Sequence, residues 1–303
     1  MLFKGNKKGK ALFLLSLMLA VGLTGFGCVG TKSTPEGGSG VAVANDTLYV
    51  VPAFKAAGGL GCAPQPSVGK LIAVSTSGTQ QWKATLETSG KARGVFGLAS
   101  ASVPVAVYGT PAVAEGLVYI GGYNGIVYAV NSDSGALRWV YPRQGSLQPI
   151  IGGLVVASGR VFFGNSDGKI YALDAETGDK KWEFPTGDKL WSTPTVDGEI
   201  LYIGSFDKKL YALNTIDGSK KWEFESEGAI TATPIVYNST VYFGSFDRYL
   251  YALNASDGSL KWKFMSGNWF WATPVVSGDT IYAASLDGKV YACLLYTSPS
   301  PRD

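Results

Sequence analysis

Thirty residues from Thr193 to Trp222, TPTVDGEILYIGSFDKKLYALNTIDGSKKW, return as TPIVYNSTVYFGSFDRYLYALNASDGSLKW from Thr233 to Trp262, and begin again at Thr273. Trp182, Trp222 and Trp262 give the same period of forty residues. A fixed period of this size restricts the chain to stacked structural units, a propeller blade or a solenoid turn, before any other feature is weighed. Each period holds four apolar runs: Ser192–Val196, Ile200–Gly204, Lys209–Asn214 and Lys220–Phe224. Asp197-Gly198, Ser205-Phe206-Asp207 and Asp217-Gly218 separate them. Runs of about five residues rich in Val, Ile, Tyr and Phe are strand-length, and Asp-Gly is a strong hairpin signal. None has the length or spacing of a helix. The unit is therefore a four-stranded antiparallel meander. The fold class is all-β, a β-propeller of four-stranded blades that must cover one another's faces.

The recurring positions read first as architecture. Tyr211-Ala212-Leu213, with its copies at Tyr171 and Tyr251, puts large and small side chains on alternating strand faces. Trp82, Trp139, Trp182, Trp222 and Trp262 offer flat surfaces that seal one blade against the next. Gly178, Gly218 and Gly258 permit the tight turn before each Trp strand. Asp167, Asp207, Asp247 and Asp287 recur at one loop, which points to turn capping, because a catalytic carboxylate would break the repeat rather than follow it.

Ala172-Leu173-Asp174-Ala175-Glu176-Thr177-Gly178-Asp179-Lys180-Lys181-Trp182 resembles the tryptophan-docking motif of the pyrroloquinoline-quinone (PQQ) repeat family. It recurs as Ala212–Trp222 and Ala252–Trp262, and more loosely as Ala129–Trp139. The resemblance spans most of the chain. It implies either of two activities: quinoprotein dehydrogenases, or non-enzymatic outer-membrane assembly lipoproteins of the BamB type. WD40 repeats fit poorly, because there is no Trp-Asp signature and no His; Kelch repeats fit poorly because Gly121-Gly122-Tyr123 is the only such Gly-Gly-aromatic loop.

The first 27 residues read as a signal peptide. Lys4, Lys7, Lys8 and Lys10 precede an apolar run from Ala11 to Leu23 broken only by Ser16. Leu23-Thr24-Gly25-Phe26-Gly27-Cys28 resembles a bacterial lipoprotein signal, in which Cys28 is acylated; Gly25 departs from it, standing where the pattern has an aliphatic residue. An uncleaved anchor and ordinary secretory cleavage are the alternatives. All three put the body of the chain outside the cytoplasm, and the acylated form anchors it to a membrane. Residues 28–40 form a flexible tether, and 41–292 the propeller, with insertions at about 52–69, which carries Cys62, and 83–108. Cys293–Asp303 resembles the translation of a sequencing-library adapter, which implies a non-native tail at 293–303. On that reading the propeller is incomplete, about five blades and half of a sixth, from an intact protein of seven or eight. Five of the 26 Lys and Arg, and one of the 23 Asp and Glu, lie in those two end segments, so the body is close to neutral. It has no electrostatic footprint for nucleic acid.

Without His, the chain lacks the commonest general base and transition-metal ligand. It has no Cys pair, phosphate-binding Gly loop or nucleophile elbow. No catalytic or metal residue is assigned and no cofactor is expected, with PQQ and Ca²⁺ kept for the dehydrogenase reading. The non-repeating residues are more informative. In a four-stranded blade, the loop entering the innermost strand shares a face with the loop between strands two and three. The first kind of loop carries Lys189-Leu190-Trp191, Ala229-Ile230-Thr231, Trp269-Phe270-Trp271 and Tyr108; the second carries Tyr123, Phe206, Phe246 and Leu286. One rim thus gathers aromatics, as binding surfaces do; filling of the channel mouth is the competing explanation. Trp269, Phe270, Trp271, Trp191, Tyr108 and Tyr123 are the partner-binding candidates, and Phe206 and Phe246, which recur, read as structural. The reading that results is an extracytoplasmic binding scaffold that docks a protein or an extended peptide on one propeller face. A quinoprotein dehydrogenase and a surface sensor or carbohydrate-binding propeller are its rivals.

Overall fold

The computed structural model describes residues 40–52, 69–86 and 105–295. Every described residue belongs to one compact unit, Glu36–Asp303. The leader, Cys28, Cys62, most of the second insertion and residues 296–303 lie outside the described residues.

Alternating apolar residues and two-residue turns build five four-stranded antiparallel sheets and a sixth of three strands, each in sequential order. Their innermost strands are Ala42–Ala44, Ala112–Ala114, Val155–Ala157, Thr195–Asp197, Ile235–Tyr237 and Val275–Ser277. The first five of these strands run side by side, blade against blade, as in a propeller. In blade four, Thr195 pairs with Tyr202, Ile203 with Tyr211 and Ala212 with Trp222. The register then slips between Ala212 and Leu213. The same slip recurs in blades one, two, three and five. Such a bulge bends the outer strand locally, and here it lies beside the Trp. The third strand of blade six runs from Val290 to Leu294, two residues past Ala292, and Cys293 is buried where the repeat has Leu213 and Leu253.

Period-two alternation gives every blade two apolar faces. Tyr202, Leu210, Ala212 and Trp222 of blade four meet Val241, Phe243, Tyr251 and Leu253 of blade five in one buried cluster. Four further clusters repeat that pairing at the other seams. Across four of the five seams a Trp is held in the same way. Its indole Nε1 donates to a turn carbonyl of the following blade: Trp82 to Ser132 (2.8 Å), Trp139 to Ala175 (3.0 Å), Trp182 to Thr215 (3.1 Å) and Trp222 to Ala255 (3.0 Å). The ring lies on the turn glycine. At Gly218, an added Cβ would stand 2.8 Å from the Trp182 ring, and φ is +74°. These glycines therefore do two things, turning the chain and admitting the indole of the neighbouring blade. A Tyr completes the lock at several seams, with the Tyr202 hydroxyl donating to Ala255 O (3.1 Å) and the Tyr119 hydroxyl to Ala175 O (3.2 Å). In blade six the face corresponding to Tyr202 and Leu210 is exposed, with Val275 at 60%, Tyr282 at 41% and Val290 at 68%.

Two predictions follow from these seams. Gly218→Ala puts a Cβ into the Trp182 ring and a side chain at positive φ. It is expected to destabilise the fold by about 2 kcal/mol or more in chemical denaturation; a loss of a few tenths would show that the ring moves aside. The second concerns pH. Burial pushes the phenols of Tyr119 and Tyr202 up to about 12. The folded state thus holds the neutral, donating form. That contribution is whole below the unfolded tyrosine's value of about 10 and is lost as pH rises from there toward 12. The melting temperature should fall across that window, and Tyr202→Phe should make the fall shallower.

Candidate functional site

The loops of one propeller face are built on a repeated brace. In blade four, Asp207 Oδ1 accepts from its own turn amide, Lys209 N (3.0 Å). Its Oδ2 accepts from the Tyr211 hydroxyl (2.6 Å) and from Gly187 N (2.7 Å), in the loop that enters the blade. Asp247 joins Tyr249 N, Tyr251 and Glu227 N, and Asp287 joins Lys289 N, Tyr291 and Gly267 N. In blade two Asn124 stands at this position and donates to Tyr128 (2.8 Å). These bonds cap the turn, and they also tie two loops together. The electrostatics follow. Burial first, and then the adjacent carboxylate, raises the Tyr211 and Tyr251 phenols well above their ordinary value. The hydrogen bond from Tyr291 lowers Asp287. A carboxylate committed to three donors is an unsuitable base.

Backbone bonds close the same layer. Phe206 N donates to Lys189 O (3.0 Å), Phe246 N to Ala229 O (2.9 Å) and Leu286 N to Trp269 O (2.9 Å). Both kinds of loop therefore lie on one face, as the sequence predicts. Within each entering loop the middle residue points inward: Ile150, Leu190, Ile230 and Phe270 are all fully buried. Phe270 is thus no surface anchor, contrary to the sequence reading. Its Cβ packs on Gly244 and its ring lies 6.2 Å from that of Tyr291. It is the plug of its seam, and its neighbours Trp269 and Trp271 turn outward, 45% and 49% exposed.

Those two indoles do not stand alone. Both stack on Phe246, Trp269 at 4.7 Å between centroids and 11° between planes, and Trp271 at 5.2 Å and 24°. Phe246 meets Phe206 edge-on at 6.2 Å, and Phe206 meets Trp191 at 4.6 Å. The Lys189 ammonium lies over Phe206 and Trp191, 4.5 Å and 5.1 Å from their centroids. The result is a continuous aromatic ladder across the entrances to blades four, five and six. Phe206 and Phe246, read from sequence as structural, are its middle rungs. Their recurrence concealed them, and the signal that reveals them is non-repeating aromatics in the adjoining loop. Trp191 and Thr231 occupy equivalent loop positions, and their Nε1 and Oγ1 are buried without a partner among the described residues. Tyr108 and Tyr123 form an edge-on pair of their own, 5.5 Å apart. Ser166 holds the loop position of Phe206 in the intervening blade three. Trp82, Trp139, Trp182, Trp222 and Trp262 all sit in the seam clusters rather than on the rim.

The dehydrogenase reading calls for oxygen ligands grouped around Ca²⁺ among the described residues. Among them no three Asp, Glu or Cys side chains are grouped to hold a metal ion, and the carboxylates of Asp207, Asp247 and Asp287 are occupied by the brace. An open concavity of about 460 Å³ lies instead on the outer wall. It is lined by Arg138, Trp139, Arg143 and Glu176, with Arg143 paired to Asp179 at 2.7 Å.

The sequence profile of the family described as outer membrane protein assembly factor BamB matches residues 25–189 and again 184–297. No curated protein matches the chain by sequence. Among solved structures, BamB from Moraxella catarrhalis superposes with a TM-score of 0.65 at 19% identity, covering 86% of this chain and 70% of that one. The computationally designed Ika8 protein superposes with a TM-score of 0.66 at 14% identity, covering 85% and 70%. Identities this low show the fold alone, and the designed protein carries the same architecture, so the family rests on the profile match over nearly the whole sequence. With a tryptophan at the docking position of all five four-stranded blades, four of them bonded to the next blade's turn, the chain belongs to the BamB family of PQQ-like β-propellers.

Proposed function

We propose that this propeller is an extracytoplasmic, lipid-anchored and non-enzymatic scaffold that docks a protein partner, or an extended segment of one, on its aromatic rim. The observation that carries this reading is the exposed pair Trp269 and Trp271, already stacked on Phe246. Large rings immobilised before binding lose little conformational entropy when a partner arrives, and such residues dominate interface energetics. Family membership supports the role, because the relative is described as an outer-membrane assembly factor. The leader and Cys28 support the compartment and the anchor.

Three measurements test it. A photo-crosslinker placed at Leu286, exposed on the rim beside Trp269, should give a discrete adduct in envelope membranes of the native host. The double substitution Trp269→Ala and Trp271→Ala should reduce that adduct about tenfold or more while leaving the melting temperature close to that of the parent. An unchanged adduct removes the rim from the interface. Cys28→Ser should move the protein from the membrane to the soluble fraction, and retention on the membrane would argue for an uncleaved anchor. Incubation with PQQ and Ca²⁺ should yield no dye-linked alcohol oxidation. Turnover there would overturn the scaffold reading in favour of a dehydrogenase.

A further inference from the structure

The hydrogen-bonding inventory of the rim is lopsided. Its recurring acceptors are taken: the carbonyls of Lys189, Ala229 and Trp269 receive the amides of Phe206, Phe246 and Leu286. Asp188 Oδ1 receives Lys189 N (2.7 Å) and Asn268 Oδ1 receives Trp269 N (2.8 Å). The Oδ2 atoms of Asp207, Asp247 and Asp287 are held in the loop brace. Its donors are available. No described residue accepts from the indole N–H of Trp269 or Trp271, which are about half exposed, and the Lys189 ammonium sits on ring faces. Between these donors lie flat, near-parallel aromatic surfaces.

We infer that the rim binds a proline-rich segment in the polyproline II conformation. This rests on the reading of the rim as the docking site and specifies what docks there. Proline brings no backbone N–H, so such a segment asks for no acceptor. A polyproline II chain makes no internal hydrogen bonds and leaves its carbonyls solvated, ready to accept from an indole N–H or an ammonium. Its pyrrolidine rings pack on aromatic faces, and its backbone is extended before it binds, which lowers the ordering cost. A β-strand would bring amides in need of acceptors, and a sugar would bring a donor with every hydroxyl. A surface whose recurring acceptors are already committed is poorly matched to both.

The test uses the full chain and four fluorescein-labelled probes: a ten-residue oligoproline, a Gly/Ser peptide of equal length, a strand-forming Thr/Val peptide and a cello-oligosaccharide. Anisotropy should show saturable binding of the oligoproline alone, with quenching of tryptophan emission. Trp271→Ala should weaken it about tenfold or more. Trp271→Phe keeps a ring and removes the donor, and should weaken it severalfold, a change that loss of stacking alone does not produce. Tighter binding of the strand-forming peptide, or of the sugar, overturns the inference in favour of that ligand. Absence of oligoproline binding overturns it as well. If the crosslink near Trp269 and Trp271 in native membranes survives that result, the docking site stands and only its proline selectivity fails; if the crosslink is also insensitive to both substitutions, the docking site falls too.

Discussion

Everything in this molecule depends on how one blade grips the next. A four-stranded meander has two apolar faces and covers neither by itself, so each blade is stable only as part of a stack. The grip is an indole laid on a glycine, with its N–H bonded to a carbonyl in the neighbouring turn, as between Trp222, Gly258 and Ala255. The ring supplies buried apolar area, and the hydrogen bond sets its angle. The glycine is indispensable because any Cβ there would occupy the space of the ring. One constraint therefore explains three recurring residues that look independent in the linear sequence.

Because the grip recurs at a fixed place, it holds the loops on the opposite rim at a fixed height. The Asp–Tyr brace then ties each loop between strands two and three to the loop entering the blade, as Asp247 does with Tyr251 and Glu227. On that rigid layer the chain varies freely. Equivalent positions hold Trp191, Thr231 and Trp271, while the residue before each, Leu190, Ile230 or Phe270, stays buried as a plug. Seam plug and variable side chain thus alternate residue by residue within a three-residue loop.

That alternation explains what could be read in advance. Strand runs, turns and the docking Trp positions were legible because each is a local pattern repeated at one period. The face that carries the rim was legible from the topology of a four-stranded meander. Phe270 was misplaced because an aromatic between two aromatics looks like part of one patch, and only the inward turn of the loop separates it from Trp269 and Trp271. Phe206 and Phe246 were set aside because they recur, although their rings carry the ladder from Trp191 to Trp271. Recurrence distinguishes what the fold requires from what it does not, but a residue required by the fold can also present a face to a partner. The register slip beside each Trp left no mark in the residue types at all.

The sequence by itself determined the all-β class, the forty-residue blade and the residues that lock it, since hairpin turns and period-two strands are decided by neighbours a few positions apart. Tertiary structure alone decided which aromatics meet. Trp191 and Phe206 lie fifteen residues apart and meet because the Asp207 brace ties their loops together. Phe246 and Trp271 lie twenty-five apart and meet because a seam sets blade six beside blade five. Whether an exposed indole has an open donor or a loop carboxylate an open oxygen depends on those distant contacts. The character of the rim, rich in donors and flat rings, with its recurring acceptors already bound, is therefore a property of the assembled stack.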